Sequence, residues 1–165
     1  MPRAKRTARK TAATASPRAR PKAPGLLSSE GLEGAHFEDV SFEGATLTNV
    51  TLRRIAIDDA DATGATLHDV RLDEARLDDA SARGATLTNV SLQGAAIDDT
   101  SFEGASLSNV TFANAKLQDA SFAGATLRDV DLSGVTIQDA NVRGLTIDGV
   151  DVGDLLSRAA SRARR

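Results

Sequence analysis

The chain of 165 residues is one domain's worth of material, and its 41% hydrophobic fraction includes five Phe, one Met and neither Tyr nor Trp, so Ala, Leu, Val and Ile must build a narrow, regular core. Without Cys it has no disulfide framework or thiolate metal site, and no apolar run approaches the roughly 18 residues of a membrane span or resembles a secretory signal, so a soluble, cytoplasmic protein is expected. The net charge of −3 conceals a segregation: residues 1–29 carry eight bases and no acid, whereas residues 30–154 hold all 23 acids against eight bases, a net −15.

The bases of the N-terminal segment are Arg3, Lys5, Arg6, Arg9, Lys10, Arg18, Arg20 and Lys22. Rich also in Ala, Thr and Pro, this segment has no apolar periodicity and cannot bury enough surface to offset its ordering entropy, so residues 1–25 are expected to form a disordered basic tail. Such an arm suits contact with nucleic acid, with an acidic membrane surface, or with the acidic edge of a neighbouring molecule. Leu26 and Leu27 are the available lid for a domain expected over residues 26–153.

Within that domain the apolar residues recur every five positions. From Leu32 the series runs Phe37, Phe42, Leu47, Leu52, Ile57, Ala62, Leu67, Leu72 and Leu77 without slippage to Val152, and only Ala62 and Ala82 in it are small. Two residues before each centre, from Ala35 to Val150, lies Ala or Val, with Ile55, Thr100 and Leu145 as exceptions. A period of five fits neither the 3.6 of a helix nor the alternation of a long strand, but it fits short segments each followed by a turn. A second period of 20 is superimposed: Gly44, Gly64, Gly84, Gly104, Gly124 and Gly144 form one column, and Val50 to Val150 another. Four blocks of five therefore make one circuit, and circuits stack at the strand spacing of about 4.8 Å. The glycine column marks a corner with positive φ. Asn or Asp marks other corners, with side-chain hydrogen bonds to the backbone expected there, and Thr and Ser before the centres are expected to form hydroxyl ladders. The column Phe42, Ala62, Ala82, Phe102, Phe122, Val142 predicts a local void or pinch.

Units such as Ala45-Thr46-Leu47-Thr48-Asn49, Ala105-Ser106-Leu107-Ser108-Asn109 and Ala125-Thr126-Leu127-Arg128-Asp129 resemble the pentapeptide-repeat proteins, over about residues 32–153. The resemblance implies an all-β fold, a right-handed quadrilateral β-helix, here of about six coils. The chain departs from the family in placing Thr or Ser before most centres, where the family favours Asp or Asn.

Residues 154–165 are expected to form a short helix and basic tail. Asp154 is the expected N-cap, Leu155, Leu156 and Ala159 face the coil as an end cap, and Arg158 and Arg162 lie near the negative end of the dipole. The alternative role for Leu155, Leu156 and Ala159 is a dimer contact, since the resemblance implies members that pair through their C-terminal ends. An unprotected N-terminal end would also permit end-to-end stacking.

No catalytic residue, cofactor or metal is called for. His36 and His68 fall at outward positions on different faces, and no nucleophile, base and orienting group converge. The informative feature is a ladder of acids along one edge: Glu38 and Asp39, Asp58 and Asp59, Asp78 and Asp79, Asp98 and Asp99, then Asp119 and Asp139 beside Gln118 and Gln138. Like charges so close are destabilising, although Asp also favours turns and acidic surfaces serve solubility. Arg53 and Arg54 lie one circuit from Asp73 and Glu74, and Arg83 one circuit from Glu103, which offers local neutralisation. Some 125 residues make about six circuits, or roughly 30 Å, giving one net negative charge per about 2 Å against about 1.7 Å in duplex DNA. The resemblance implies members that mimic DNA and occupy the DNA-binding saddle of type II topoisomerases. A mimic that binds DNA gyrase is therefore the leading expectation, and a structural or adaptor solenoid acting through its faces, ends and basic tail is the alternative.

Overall fold

The computed structural model describes residues 32–163, and the expectations for residues 1–25, the Leu26–Leu27 lid, Arg164 and Arg165 lie outside the described residues. The chain winds as a four-sided β-solenoid of about six turns. Strands β1 (His36–Ser41), β3 (Ala56–Asp61), β5 (Arg76–Asp78), β7 (Ala96–Asp98), β9 (Lys116–Gln118) and β11 (Thr136–Gln138) stack as one parallel sheet. Strands β2 (Thr46–Thr48), β4 (Thr66–Arg71), β6 (Thr86–Ser91), β8 (Ser106–Thr111), β10 (Thr126–Arg128), β12 (Thr146–Ile147) and β13 (Val150–Asp151) form the second sheet, parallel except at its last pair. The register is a uniform 20 residues: Ile57 lies beside Leu77 and Leu77 beside Ile97, while Leu87 lies beside Leu107. Like thus stacks on like, as the long period requires.

The corners explain why five residues suffice for each side. Gly44, Gly64, Gly84, Gly104, Gly124 and Gly144 have φ between 59° and 67°, each as the third residue of a turn closed by a hydrogen bond such as Ala105 N–H to the Phe102 carbonyl at 3.0 Å. A Cβ built on the first five would meet nothing within 4 Å, so conformation rather than space selects glycine there. Gly134 differs, because a Cβ there would lie 2.5 Å from Asn114 Oδ1. Of the other three corner columns one is mixed, with Arg54, Glu74 and Asn114 at φ between 55° and 59° among glycines, and two, running from Asp39 to Asp139 and from Asn49 to Asp129, hold Asp or Asn at φ between 45° and 56°. Those residues are selected for the left-handed backbone, which Asn and Asp tolerate better than other side chains. The side-chain bonds to backbone N–H come instead from the residues that follow the corners. Asp61 accepts from Thr63 N–H at 2.9 Å, Asp131 from Ser133 N–H at 2.9 Å, and Asn141 from Arg143 N–H at 3.2 Å. The expected hydroxyl ladder likewise moves. Among the described residues the hydroxyl–hydroxyl contact is Thr63 to Ser81, 3.0 Å across a corner, while the Thr46, Thr66 and Thr86 side chains point to solvent.

The interior is filled unevenly. In the lower coils Ile97, Leu107 and Phe112 are each 1% exposed, Phe102 stacks on Phe122 with centroids 5.1 Å apart, and Phe112 meets Phe122 edge-on at 6.5 Å. Thr100, the polar exception in its column, is buried because its hydroxyl donates to the Asp98 carbonyl at 2.9 Å. Higher up, the two alanines leave the expected void: a cavity of about 90 Å³ that reaches from Leu32 and Phe37 past Ala62 and Ala82 to Phe102.

The C-terminal end departs from expectation. Asp148 and Gly149 both adopt positive φ, 47° and 79°, which is the two-residue turn of a tight hairpin, so β13 folds back antiparallel on β12 with Val150 opposite Ile147. The valine column therefore ends at Val130, and Val150 is 53% exposed. The helix α1 (Val152–Ala163) starts two residues earlier than Asp154, and its N-cap is Asp151, whose Oδ1 accepts from Asp154 N–H at 2.9 Å. Leu155, Leu156 and Ala159 do not pack on the coil. No residue of α1 is buried, and the two leucines are 57% and 55% exposed, because it is Val152 in the first turn that seats on the core. No helix among the described residues is long and apolar enough to cross a membrane.

Candidate functional site: the acidic edge of the first sheet

The 20-residue register brings the expected ladder together. Glu38, Asp58, Asp78 and Asp98 are in-register neighbours on four successive strands, followed by Gln118 and Gln138. Beside them Asp39, Asp59, Asp79, Asp99, Asp119 and Asp139 occupy the corner, all exposed. Asp39, Asp59, Asp79 and Asp99, joined by Asp61, line an open groove of about 620 Å³ that runs along the rod.

Two cations temper this edge. Arg83, at its rim, reaches Glu103 at 3.3 Å, the circuit-to-circuit pair read from the sequence. Arg76, which sequence reasoning did not place, bonds Asp78 Oδ2 at 2.6 Å from two residues away on the same strand. That hydrogen bond, together with the carboxylates of Asp78, Asp58 and Asp98, pushes the Arg76 guanidinium further up. The signal was available, since residues two apart on a strand share a face. Arg53 meets Asp73 and Glu74 at 3.8 and 3.9 Å as expected, whereas Arg54 turns the other way and pairs with Glu33. At the ends of the coil sides, the Thr63 hydroxyl and N–H hold the Asp61 carboxyl below the usual carboxylate range, and Ser133 does the same for Asp131.

The corresponding edge of the second sheet has a groove of the same volume, about 620 Å³, but a different lining: Asn49, Asp69, Asn89, Asn109 and Asp129. There the side chains join, Asn109 Nδ2 donating to Asn89 Oδ1 at 2.7 Å and Asn89 Nδ2 to Asp69 Oδ1 at 2.9 Å. The positions matching the outer acids are Thr48, His68, Thr88 and Ser108. His68 and His36 lie on different sheets, and His68 Nε2 lies 3.2 Å from the carboxylate of the adjacent Asp69. Among the described residues no group of three His, Cys, Asp or Glu is placed to hold a metal ion.

A family model described as a pentapeptide repeat region matches residues 65–142, and one described as pentapeptide repeats matches residues 32–64. No curated protein matches the chain. Similar solved structures include a pentapeptide repeat protein from the Arabidopsis thaliana thylakoid lumen, at 22% identity over 77% of this chain and 76% of that one, TM-score 0.41. Rfr23 from the cyanobacterium Cyanothece 51142 is 20% identical over 72% of this chain and 88% of that one, TM-score 0.31. QnrB1, described as a plasmid-mediated fluoroquinolone resistance protein, is 17% identical over 79% of this chain and 88% of that one, TM-score 0.36. Identities and scores this low say nothing about a partner. The two family models cover the repeats from Leu32 to Val142, where the structure coils with their period, and the chain belongs to the pentapeptide-repeat family.

Proposed function

We propose that this is a non-enzymatic binding protein whose acidic edge imitates the charge of duplex DNA and docks in the DNA-binding saddle of a type II topoisomerase such as DNA gyrase. The observation that supports the reading is the contrast between two corners with one backbone. The second sheet satisfies the left-handed corner with Asn at three of five positions, and its side chains bond to one another. The first sheet has Asp at all six, with acids alongside in four strands, and so places like charges about 4.8 Å apart where neutral side chains would serve the fold. A partner that presents a cationic saddle offsets that repulsion on binding. The choice of a topoisomerase among DNA-binding proteins rests on the family.

Purified DNA gyrase tests this, in a supercoiling assay with and without a topoisomerase poison. The full chain is expected to inhibit supercoiling or relieve poisoning. The variant with Asn at 58, 59, 78, 79, 98 and 99 is expected to do neither while keeping its circular dichroism spectrum. An undiminished effect from that variant would overturn the reading.

The exposed apolar residues of the C-terminal end favour a second role, self-association into a homodimer. Ile137, Val150, Leu155 and Leu156 are 46%, 53%, 57% and 55% exposed. Sedimentation equilibrium is expected to give a dimer that Leu155→Glu with Leu156→Glu converts to monomer; a wild-type chain that stays monomeric at high concentration removes this role.

A further inference from the structure

We infer that the hollow upper core is a binding site for a small uncharged apolar molecule, smaller than a single aromatic ring. The inference is independent of the acidic edge, which lies on the outside of the coil. It starts from the cavity of about 90 Å³ beside Ala62 and Ala82, well above the 10–15 Å³ or so that one water needs. Volume alone would admit water, but chemistry does not. A stable internal water requires two to four polar partners, and the two hydroxyl residues at this wall are already engaged, Ser81 with Thr63 at 3.0 Å and Thr100 with the Asp98 carbonyl at 2.9 Å. The remaining wall is aliphatic and aromatic, so the cavity stays dry, and its lining lacks the close contacts that a packed core supplies.

The column itself indicates the shape of the guest. Two coils below Ala82, the same position holds Phe122, whose ring lies parallel to Phe102 with an interplanar angle of 9° and centroids 5.1 Å apart. The coil section therefore accepts flat rings one above another, and Ala62 and Ala82 are the two places where the ring is missing. An apolar guest above Phe102 restores the contact that Phe122 makes from below. The volume sets the upper limit: an apolar cavity of about 150 Å³ accommodates benzene, so one of about 90 Å³ takes a guest smaller than a full ring, such as a xenon atom. Among the described residues Leu32, Phe37 and Phe42 on the N-terminal side are partly exposed, whereas Phe102 and Phe122 close the lower side at 2% and 3% exposure.

Xenon is the probe, applied under pressure to the full-length protein while amide shifts are followed by NMR. Saturable shifts are expected at residues 62, 65, 82 and 85 and not in the coils below Phe122. Ala82→Leu is expected to abolish them and to raise the melting temperature by about 4 °C. If Ala82→Leu does not fold, Ala62→Val supplies the same readout with a smaller insertion. A wild-type chain with no saturable shifts, or a filled variant that keeps them undiminished, overturns the inference.

Discussion

Along the first sheet the left-handed corners are Asp39, Asp59, Asp79, Asp99, Asp119 and Asp139, while along the second Asn49, Asp69, Asn89, Asn109 and Asp129 hold the same φ within about ten degrees. The backbone demand is therefore identical, and the side chains differ for another reason. A neutral amide donates as well as accepts, so a column of Asn can zip itself, as Asn109, Asn89 and Asp69 do. An ionised carboxylate only accepts. A column of Asp can be zipped neither by its own members nor by the Gln118 amide, which merely reaches Asp119 sideways at 3.3 Å. One edge is built for cohesion and the other keeps its charge available. An internal control of this kind isolates a surface property from a folding requirement within a single chain.

The comparison can be broken most severely by removing the left-handed tolerance itself. Asp79→Ala is expected to destabilise the solenoid by about 1 kcal/mol in urea denaturation, because Ala tolerates that backbone less well. Asp79→Asn is expected to be neutral or stabilising by a few tenths of a kcal/mol, and the mirror change Asn89→Asp destabilising by about 0.5 kcal/mol through loss of the hydrogen bond donated to Asp69 and a new like-charge contact with that residue. Equal effects from Ala and Asn at position 79 would show that the corner does not select its residue by φ. The smallest effect concerns acid. The Thr63 hydroxyl and N–H hold the folded-state pKa of Asp61 below the ordinary 3.8, so its stabilising contribution is complete above that value and is lost as the pH falls through the lower folded value. Asp61→Asn keeps an acceptor for Thr63 N–H but cannot titrate, so its stability is expected to fall less between pH 5 and about 2 than that of the wild type. Parallel curves would assign the turn no titrating role.

Much of the fold was legible because the repeat carries its own register. The 20-residue period placed Arg53 against Asp73 and Glu74, Arg83 against Glu103, and the cavity beside Ala62 and Ala82, since each follows from counting along a stack. What failed lay where counting stops. The five-residue pattern continues nominally through Val150 and Val152, but Asp148-Gly149, a strong hairpin signal, overrides it, and the helix N-cap moves to Asp151. Leu155 and Leu156, expected on the coil as the cap that an open solenoid end requires, are more than half exposed, and Val152 packs on the core in their place. At the acidic edge the column was legible, but Arg76 was missed because it pairs along its strand rather than between circuits.

The stop at Asp148-Gly149 is local: two residues end the stack, and nothing in the coils above anticipates it. Among the described residues, coils such as 81–100 and 101–120 pair with their neighbours in the same register, so the molecule behaves as a ruler with repeated graduations. Duplicating or deleting one such unit changes the length in a quantum of about 4.8 Å and carries the terminus along unchanged. The reach of the rod is thus a heritable variable that gene duplication can tune one step at a time, without redesign of either the core or the end.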